Sequence, residues 1–191
     1  MGVEAQLVDF KKESSPVGGD GLSRGRRGDT AAFEAIYREH VAVVHGLCLR
    51  MTGQPHTAED CTQETFVRAW RALDRFEGRS ALRSWLHRIA VNVVLERRRR
   101  PMYAVEVPVA DFSELDEPWQ LDTPVEAREL ERQIADLPDG LRSVLVLSGI
   151  YGYSHAETAS MLGIAVGTCK AQLHRGRALL RERLQDREDM T

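Results

Sequence analysis

The sequence contains few cysteines, and their placement argues against two kinds of site. Cys48, Cys61 and Cys169 are the only three in 191 residues, too few and too scattered for a disulfide framework. Each occupies an apolar position in a helical pattern, which is typical of a small buried hydrophobe. His40, His45 and Cys48 do not share one helical face, and no CxxC or HExxH motif occurs. We therefore expect no metal and no other cofactor.

Long apolar runs and catalytic motifs are also missing. No stretch approaches the length of a membrane span, and the first residues show no signal-peptide pattern, so we expect a cytoplasmic protein. The sequence has no paired carboxylates in a metal-like arrangement, no nucleophile motif and no phosphate-binding glycine loop. These absences argue against an enzyme.

Charge is nearly balanced in total but unevenly distributed. The formal net charge is -3 and the sequence pI is about 6.1. Residues 68–100 hold ten arginines and three acidic residues, whereas residues 102–139 hold eleven acidic residues and two arginines. After residue 164 the sequence is basic again. Two basic blocks separated by an acidic one predict two places that meet a polyanion, with a connecting segment that the polyanion repels.

Apolar residues recur at helical spacing without strand-like alternation, which predicts an all-α protein of two small domains. A flexible lead-in over residues 1–28 precedes a first domain over 29–100. Four of the seven prolines lie within or directly after the acidic residues 101–123, which we interpret as a linker. A second domain over 124–184 and a tail over 185–191 complete the chain.

The segment from residue 153 to 181 has the pattern of a helix-turn-helix. Ser154 and Glu157 form a capping-box signal at the start of one helix, and Gly163 suits the following turn, where a positive φ is expected. A second helix with a basic face follows, as in motifs whose second helix enters the DNA major groove. A plain helical hairpin with a solvated basic face is the alternative. Similar start signals at Thr57 and Ser80 predict where two earlier helices begin.

Two blocks of sequence resemble one family. Residues 58–70, AEDCTQETFVRAW, and 79–92, RSALRSWLHRIAVN, resemble region 2 of the extracytoplasmic-function (ECF) sigma factors of bacterial RNA polymerase, and residues 137–181 resemble their region 4. The resemblance implies a transcription initiation factor that binds core RNA polymerase, directs it to specific promoters and helps to melt promoter DNA. It also implies regulation by a cognate anti-sigma factor, which would hold the protein at the inner membrane face if it is a membrane protein.

The resemblance gives roles to three sets of residues. One set matches the helix that docks on the clamp helices of the largest polymerase subunit: Asp60, Gln63, Glu64 and Val67. A second set matches the part that reads and opens the minus-ten promoter element: Glu77, Arg79, Ser80, Arg83, His87, Arg88, Asn92 and Arg97. A third set matches the helix in the major groove of the minus-thirty-five element: Thr168, Lys170, Ala171, Gln172, His174, Arg175 and Arg177.

Several of these roles have plainer alternatives. The docking set could be an ordinary solvated helix face, and the arginines from Arg97 onward could be a favourable cationic helix C-terminus. Gln172 stands where the family usually has arginine, which favours adenine over guanine or weakens a phosphate contact.

An autonomous helix-turn-helix DNA-binding regulator is the competing function. It gives the first domain and the docking set no role. Promoter opening also breaks on the order of ten base-pair steps at about 1.4 kcal/mol each, which calls for a larger assembly.

Overall fold

Every regular element in the computed structural model is helical over the residues that it describes, 30–99 and 124–188. A first module contains α1 (Thr30–Thr52), α2 (Pro55–Ala72), a 3₁₀ turn (Leu73–Arg75) and α3 (Leu82–Arg98). A second module contains α4 (Pro124–Ala135), α5 (Asp139–Val144) with a π-helical continuation (Leu145–Ile150), α6 (His155–Leu162) and α7 (Val166–Glu188). The all-α prediction is confirmed. The predicted lead-in and linker lie outside the described residues, as do the last three residues of the predicted tail.

The core of the first module forms where the inner faces of α1, α2 and α3 meet. Leu47, Cys48, Cys61 and Leu86 are fully buried there, and the cysteines are unpaired thiols. Burial raises the pKa of Cys48 to about 12 and that of Cys61 to about 11, so both thiols stay protonated at neutral pH. The two cysteines therefore act as small apolar side chains, as their helical positions predicted.

Two helices begin earlier or later than their predicted cap signals. α2 begins at Pro55 after Gln54, because proline at the first helical position has the required φ and no N–H to satisfy. Thr57 lies inside that helix, where its hydroxyl donates to the Gln54 side chain at 2.9 Å. α3 begins at Leu82 after Ala81, two residues beyond Ser80. The predictions at Thr57 and Ser80 were wrong.

The helix-turn-helix has the predicted local structure. The Glu157 N–H donates to Ser154 Oγ at 3.2 Å, and the Ser154 N–H donates to Glu157 Oε2 at 2.8 Å, which completes the capping box of α6. Gly163 ends α6 at a φ of 67°, a left-handed conformation that glycine adopts without steric cost. Gly163 and the next two residues form the turn before α7.

The two modules pack against each other. Helix α1 contacts α4, α5 and its π-helical continuation, and α3 contacts α6. Among the described helices, none combines the length and the hydropathy that crossing a bilayer requires.

Candidate nucleic-acid interface

The predicted docking residues lie together along a groove between α2 and α3. This groove, called here the docking groove, has a volume of about 370 Å³. Gln63 and Val67 are exposed, while Asp60 and Glu64 are half-buried. The groove is lined by the four predicted residues and by four others: Arg68, Val93, Glu96 and Arg97. Sequence reasoning did not include Val93 and Glu96 in this site, although their spacing with Arg97 on α3 is that of one helix face.

The docking groove carries more negative than positive side chains. Arg97 Nη2 donates to Asp60 Oδ2 at 2.6 Å, and Arg68 donates to Glu64 at 2.7 Å and pairs with Glu96 at 2.8 Å. Hydrogen bonds from Arg68 to Glu64 and then to Glu96 raise the pKa of that arginine. Three carboxylates face two guanidiniums, so the groove suits a basic partner surface.

An aromatic patch borders the docking groove. Phe33 packs edge-on against Trp70 at 4.9 Å between ring centroids, and Tyr37 packs against Phe66 at 4.7 Å. Tyr37 and Val67 are each 42% exposed, and Trp70 is 38% exposed. Three large apolar side chains thus remain in contact with water on the surface formed by α1 and α2, and one of them, Val67, lines the groove itself.

Most residues predicted to handle the minus-ten element lie at the surface of the loop before α3 and of α3 itself. Glu77 and Arg79 are exposed and form an ion pair at 2.5 Å, while Ser80 and Arg83 are half-buried. Further along α3, two more members of the set are exposed: Arg88 and Asn92. We refer to these six residues as the strand surface.

Two members of the minus-ten set lie elsewhere. Arg97 lies in the docking groove, paired with Asp60. His87 is 2% exposed, and its Nδ1 lies 2.8 Å from the hydroxyl of Tyr153 in the second module. Burial, together with Arg83 and His40, lowers the pKa of His87 to about 3, so the imidazole is neutral. In this arrangement His87 cannot contact a phosphate.

The minus-thirty-five set lies along the first three turns of α7, mostly on the side directed away from the rest of the module. Six of its seven members are exposed: Thr168, Lys170, Ala171, His174, Arg175 and Arg177. Cys169 and Leu173 are buried on the opposite face and hold α7 in the module. Gln172 is half-buried, because its side-chain amide lies against the backbone of Gly140 in α5. These six side chains are therefore accessible to solvent on the surface of α7.

Comparison with known proteins assigns both modules to one class. The family model for Sigma-70 region 2 matches residues 36–101, and the model for Sigma-70 region 4 matches residues 127–180. These two matches identify the chain as a sigma-type transcription initiation factor, which agrees with its helical fold and with the exposed basic face of α7.

Individual relatives narrow the class. The chain is 36% identical over 178 residues to the ECF RNA polymerase sigma factor SigW of Bacillus subtilis (strain 168), covering 86% of this chain and 95% of SigW. It is 35% identical over 154 residues to SigM of Mycobacterium tuberculosis, covering 80% and 77% of the two chains. The chain belongs to the ECF sigma factors of bacterial RNA polymerase.

Solved structures show the same fold. The structure of CnrH in complex with the cytosolic domain of CnrY has a TM-score of 0.58 at 29% identity and covers 87% of this chain and 96% of that one. The sigma factor RpoE in complex with the anti-sigma factor NepR, from Bartonella quintana, has a TM-score of 0.65 at 24% identity and covers 80% and 96%.

Proposed function

We propose specific roles for the surfaces of this alternative sigma factor. The docking groove binds the clamp helices of core RNA polymerase through Asp60, Gln63, Glu64 and Val67. The strand surface reads and opens the minus-ten element, and the exposed face of α7 enters the major groove of the minus-thirty-five element. The proposed domains are residues 29–100 and 124–184. A cognate anti-sigma factor holds the protein inactive in the cytoplasm, at the inner membrane face if that factor is membrane-bound.

The observation that carries this proposal is the pairing of two surfaces of opposite charge. The groove presents three carboxylates, whereas the face of α7 presents Lys170, Arg175 and Arg177. A polyanion such as DNA attracts the second surface and repels the first, so one chain can bind a protein and a promoter at once. Nothing in an autonomous DNA-binding regulator requires the groove.

Reconstituted transcription tests the proposal. Promoters are selected from a random DNA library with purified chain and core polymerase, and start sites are mapped on a selected promoter. We expect specific initiation with no other protein factor, and no specific initiation from core polymerase alone. Binding of the chain to DNA without any effect on start sites would instead favour the autonomous regulator.

A further inference from the structure

The first turn of α7 is exposed but carries no charge, although basic side chains follow it directly. Val166, Gly167 and Thr168 form this turn, called here the helix tip. The first charged side chain of α7 is that of Lys170, and Arg175 follows further along the helix. Four residues of α-helix rise about 6 Å, which is the distance along the axis from Val166 to Lys170. The helix tip and the basic stretch behind it therefore present different chemistry to a partner.

Val166 is a large apolar side chain that remains in water at the helix tip. It is 43% exposed, whereas the other large apolar side chains that are exposed among the described residues, Tyr37, Val67 and Trp70, all lie in the first module. Single exposed apolar residues are common on protein surfaces. Val166 differs from them in its position, because the N-terminal residues of a recognition helix are the ones that contact base edges in the major groove.

Gly167 leaves the backbone of the helix tip uncovered, and the packing of the chain does not require this. A Cβ added at position 167 would meet no atom within 4 Å beyond its own neighbours in the helix, and the φ of Gly167 is not positive. Alanine is also a better helix former than glycine. Glycine is common where a backbone must approach a ligand closely. The bare position therefore suits a close approach of the helix tip to DNA.

The amide of Gln172 faces the protein and not the helix tip. A glutamine amide can pair with adenine in the major groove. Gln172 is half-buried, however, and its amide nitrogen would lie 3.2 Å from a Cβ placed on Gly140 of α5. Base reading at the tip itself is therefore left to Val166 and Thr168.

Each base presents a different edge to the major groove. Guanine presents two acceptors, cytosine a donor, and adenine an acceptor and a donor, whereas thymine presents an acceptor beside its C5 methyl group. An apolar side chain against guanine, cytosine or adenine would exclude water from a hydrogen-bonding group and give that group no partner. Against the thymine methyl group, the same side chain buries apolar surface on both partners. An exposed valine at a position that reads the groove therefore favours thymine.

We propose that Val166 is a specificity-determining residue that contacts the C5 methyl group of one thymine in the minus-thirty-five element, while Gly167 lets the backbone of α7 approach that base. The inference rests on the proposed function, because it requires α7 in the major groove of that element. The cations behind the tip, such as Arg175, bind phosphates or guanine. Their contribution to affinity does not depend on the thymine methyl group.

Replacement of thymine by deoxyuridine tests the proposal with the intact holoenzyme. Deoxyuridine lacks only the C5 methyl group, so its pairing with adenine is unchanged. Each thymine of the minus-thirty-five element of a selected promoter is replaced in turn, on either strand, and the affinity of the holoenzyme for each fragment is measured by competition. We expect one position at which the affinity falls about threefold to fivefold, the equivalent of burying one methyl group.

Variants of α7 assign that loss to a residue. Val166→Ala should weaken binding to the unmodified promoter and lose the preference for thymine over uracil at that position, which a double-mutant cycle of residue and base measures. Val166→Thr keeps a branched side chain with one methyl group and should keep the preference. Arg175→Ala is the comparison, because it should weaken binding by the same factor with either base. Gly167→Ala should weaken binding to the unmodified promoter although its Tm is unchanged or higher.

Circular dichroism and thermal unfolding verify that each variant is folded. The assignment of Val166 is overturned if the holoenzyme tolerates uracil at every position, or if folded Val166→Ala keeps the full preference for thymine. Unchanged affinity of the Gly167→Ala holoenzyme would overturn the role of that glycine. Initiation is measured on the unmodified promoter, so its absence there would count against the proposed function. Initiation without any dependence on the methyl group would count against this inference alone.

Discussion

Charge reversal in the docking groove should abolish association with core polymerase while the fold persists. The groove holds Asp60, Glu64 and Glu96 against Arg68 and Arg97, a net charge of −1 from these five side chains. Substitution of Asp60 and Glu64 by arginine removes two negative charges and adds two positive ones, so the net charge of these five side chains changes from −1 to +3. A basic partner surface would then be repelled.

The double substitution should cost much less free energy of unfolding than free energy of binding to core polymerase. Asp60 and Arg97 are 36% and 20% exposed, and Glu64 and Arg68 are 46% and 32% exposed. Partly exposed pairs contribute about 0–1 kcal/mol each, so the free energy of unfolding should fall by about 2 kcal/mol or less. Loss of one partner from a desolvated interface pair costs about 2–5 kcal/mol. A loss of this size corresponds to an affinity for core polymerase that is roughly 30-fold to 4,000-fold weaker.

Titration of labelled chain with core polymerase measures the affinity, and thermal unfolding followed by circular dichroism measures the stability. Glu59→Arg with Asp74→Arg is the matched control, since it adds the same charge to the first module at exposed positions outside the groove. We expect the control to bind core polymerase almost normally. A folded Asp60→Arg, Glu64→Arg chain with unchanged core affinity would refute the assignment of the groove.

Further predictions concern single residues. Gly163→Ala forces a side chain into the left-handed region, so the free energy of unfolding should fall by about 1–2 kcal/mol, measured as a fall in Tm, and an unchanged Tm would contradict a left-handed residue 163. Arg175→Ala should weaken binding to the selected minus-thirty-five duplex by about 1–3 kcal/mol; an equal loss on scrambled duplexes would make Arg175 a phosphate contact. Burial, together with the nearby Arg83 and His40, lowers the pKa of His87 in the folded state to about 3 from an ordinary 6.5. The imidazole is therefore neutral in the folded state at neutral pH. Its contribution to stability should therefore be complete above pH 6.5 and decline by about 1.4 kcal/mol per unit as the pH falls towards 3. His87→Gln should flatten the pH dependence of Tm in that window, and an unchanged slope would contradict the burial of His87. Cys48 and Cys61 should react with a thiol reagent at pH 8 only after denaturation, and rapid labelling of the native chain would show that the core opens.

The features that the sequence predicted correctly are mostly those that depend on residues close together in the chain. The capping box joins Ser154 to Glu157, only three positions away, and the left-handed turn depends on the conformation of Gly163 alone. Residue types and their spacing are therefore enough to predict both features. The wrong start at Thr57 arose from two local signals in competition, of which the proline at position 55 prevailed. The all-α class followed from the period of the apolar residues, which packing between helices then preserved.

Site residues were harder to place, because their surroundings come from distant parts of the chain. His87 is buried by Tyr153, 66 positions away, and Arg97 is paired with Asp60, 37 positions away. A basic residue near the end of a helix carries no local sign that an acidic residue of another helix will bind it. Gln172 likewise lies against Gly140 of α5, 32 positions earlier, where a Cβ would come within 3.2 Å of the amide nitrogen.

The position of Arg97 shows how one helix serves two surfaces. Helix α3 presents Glu96 and Arg97 to the docking groove, and it presents Arg88 at the strand surface about two turns earlier. Eight residues of α-helix separate positions 88 and 96 by about 12 Å along the axis. Because α3 is packed through Leu86 and Ala90 into the core, that separation is fixed by the fold. A partner bound in the groove would therefore lie at a set distance from the strand surface.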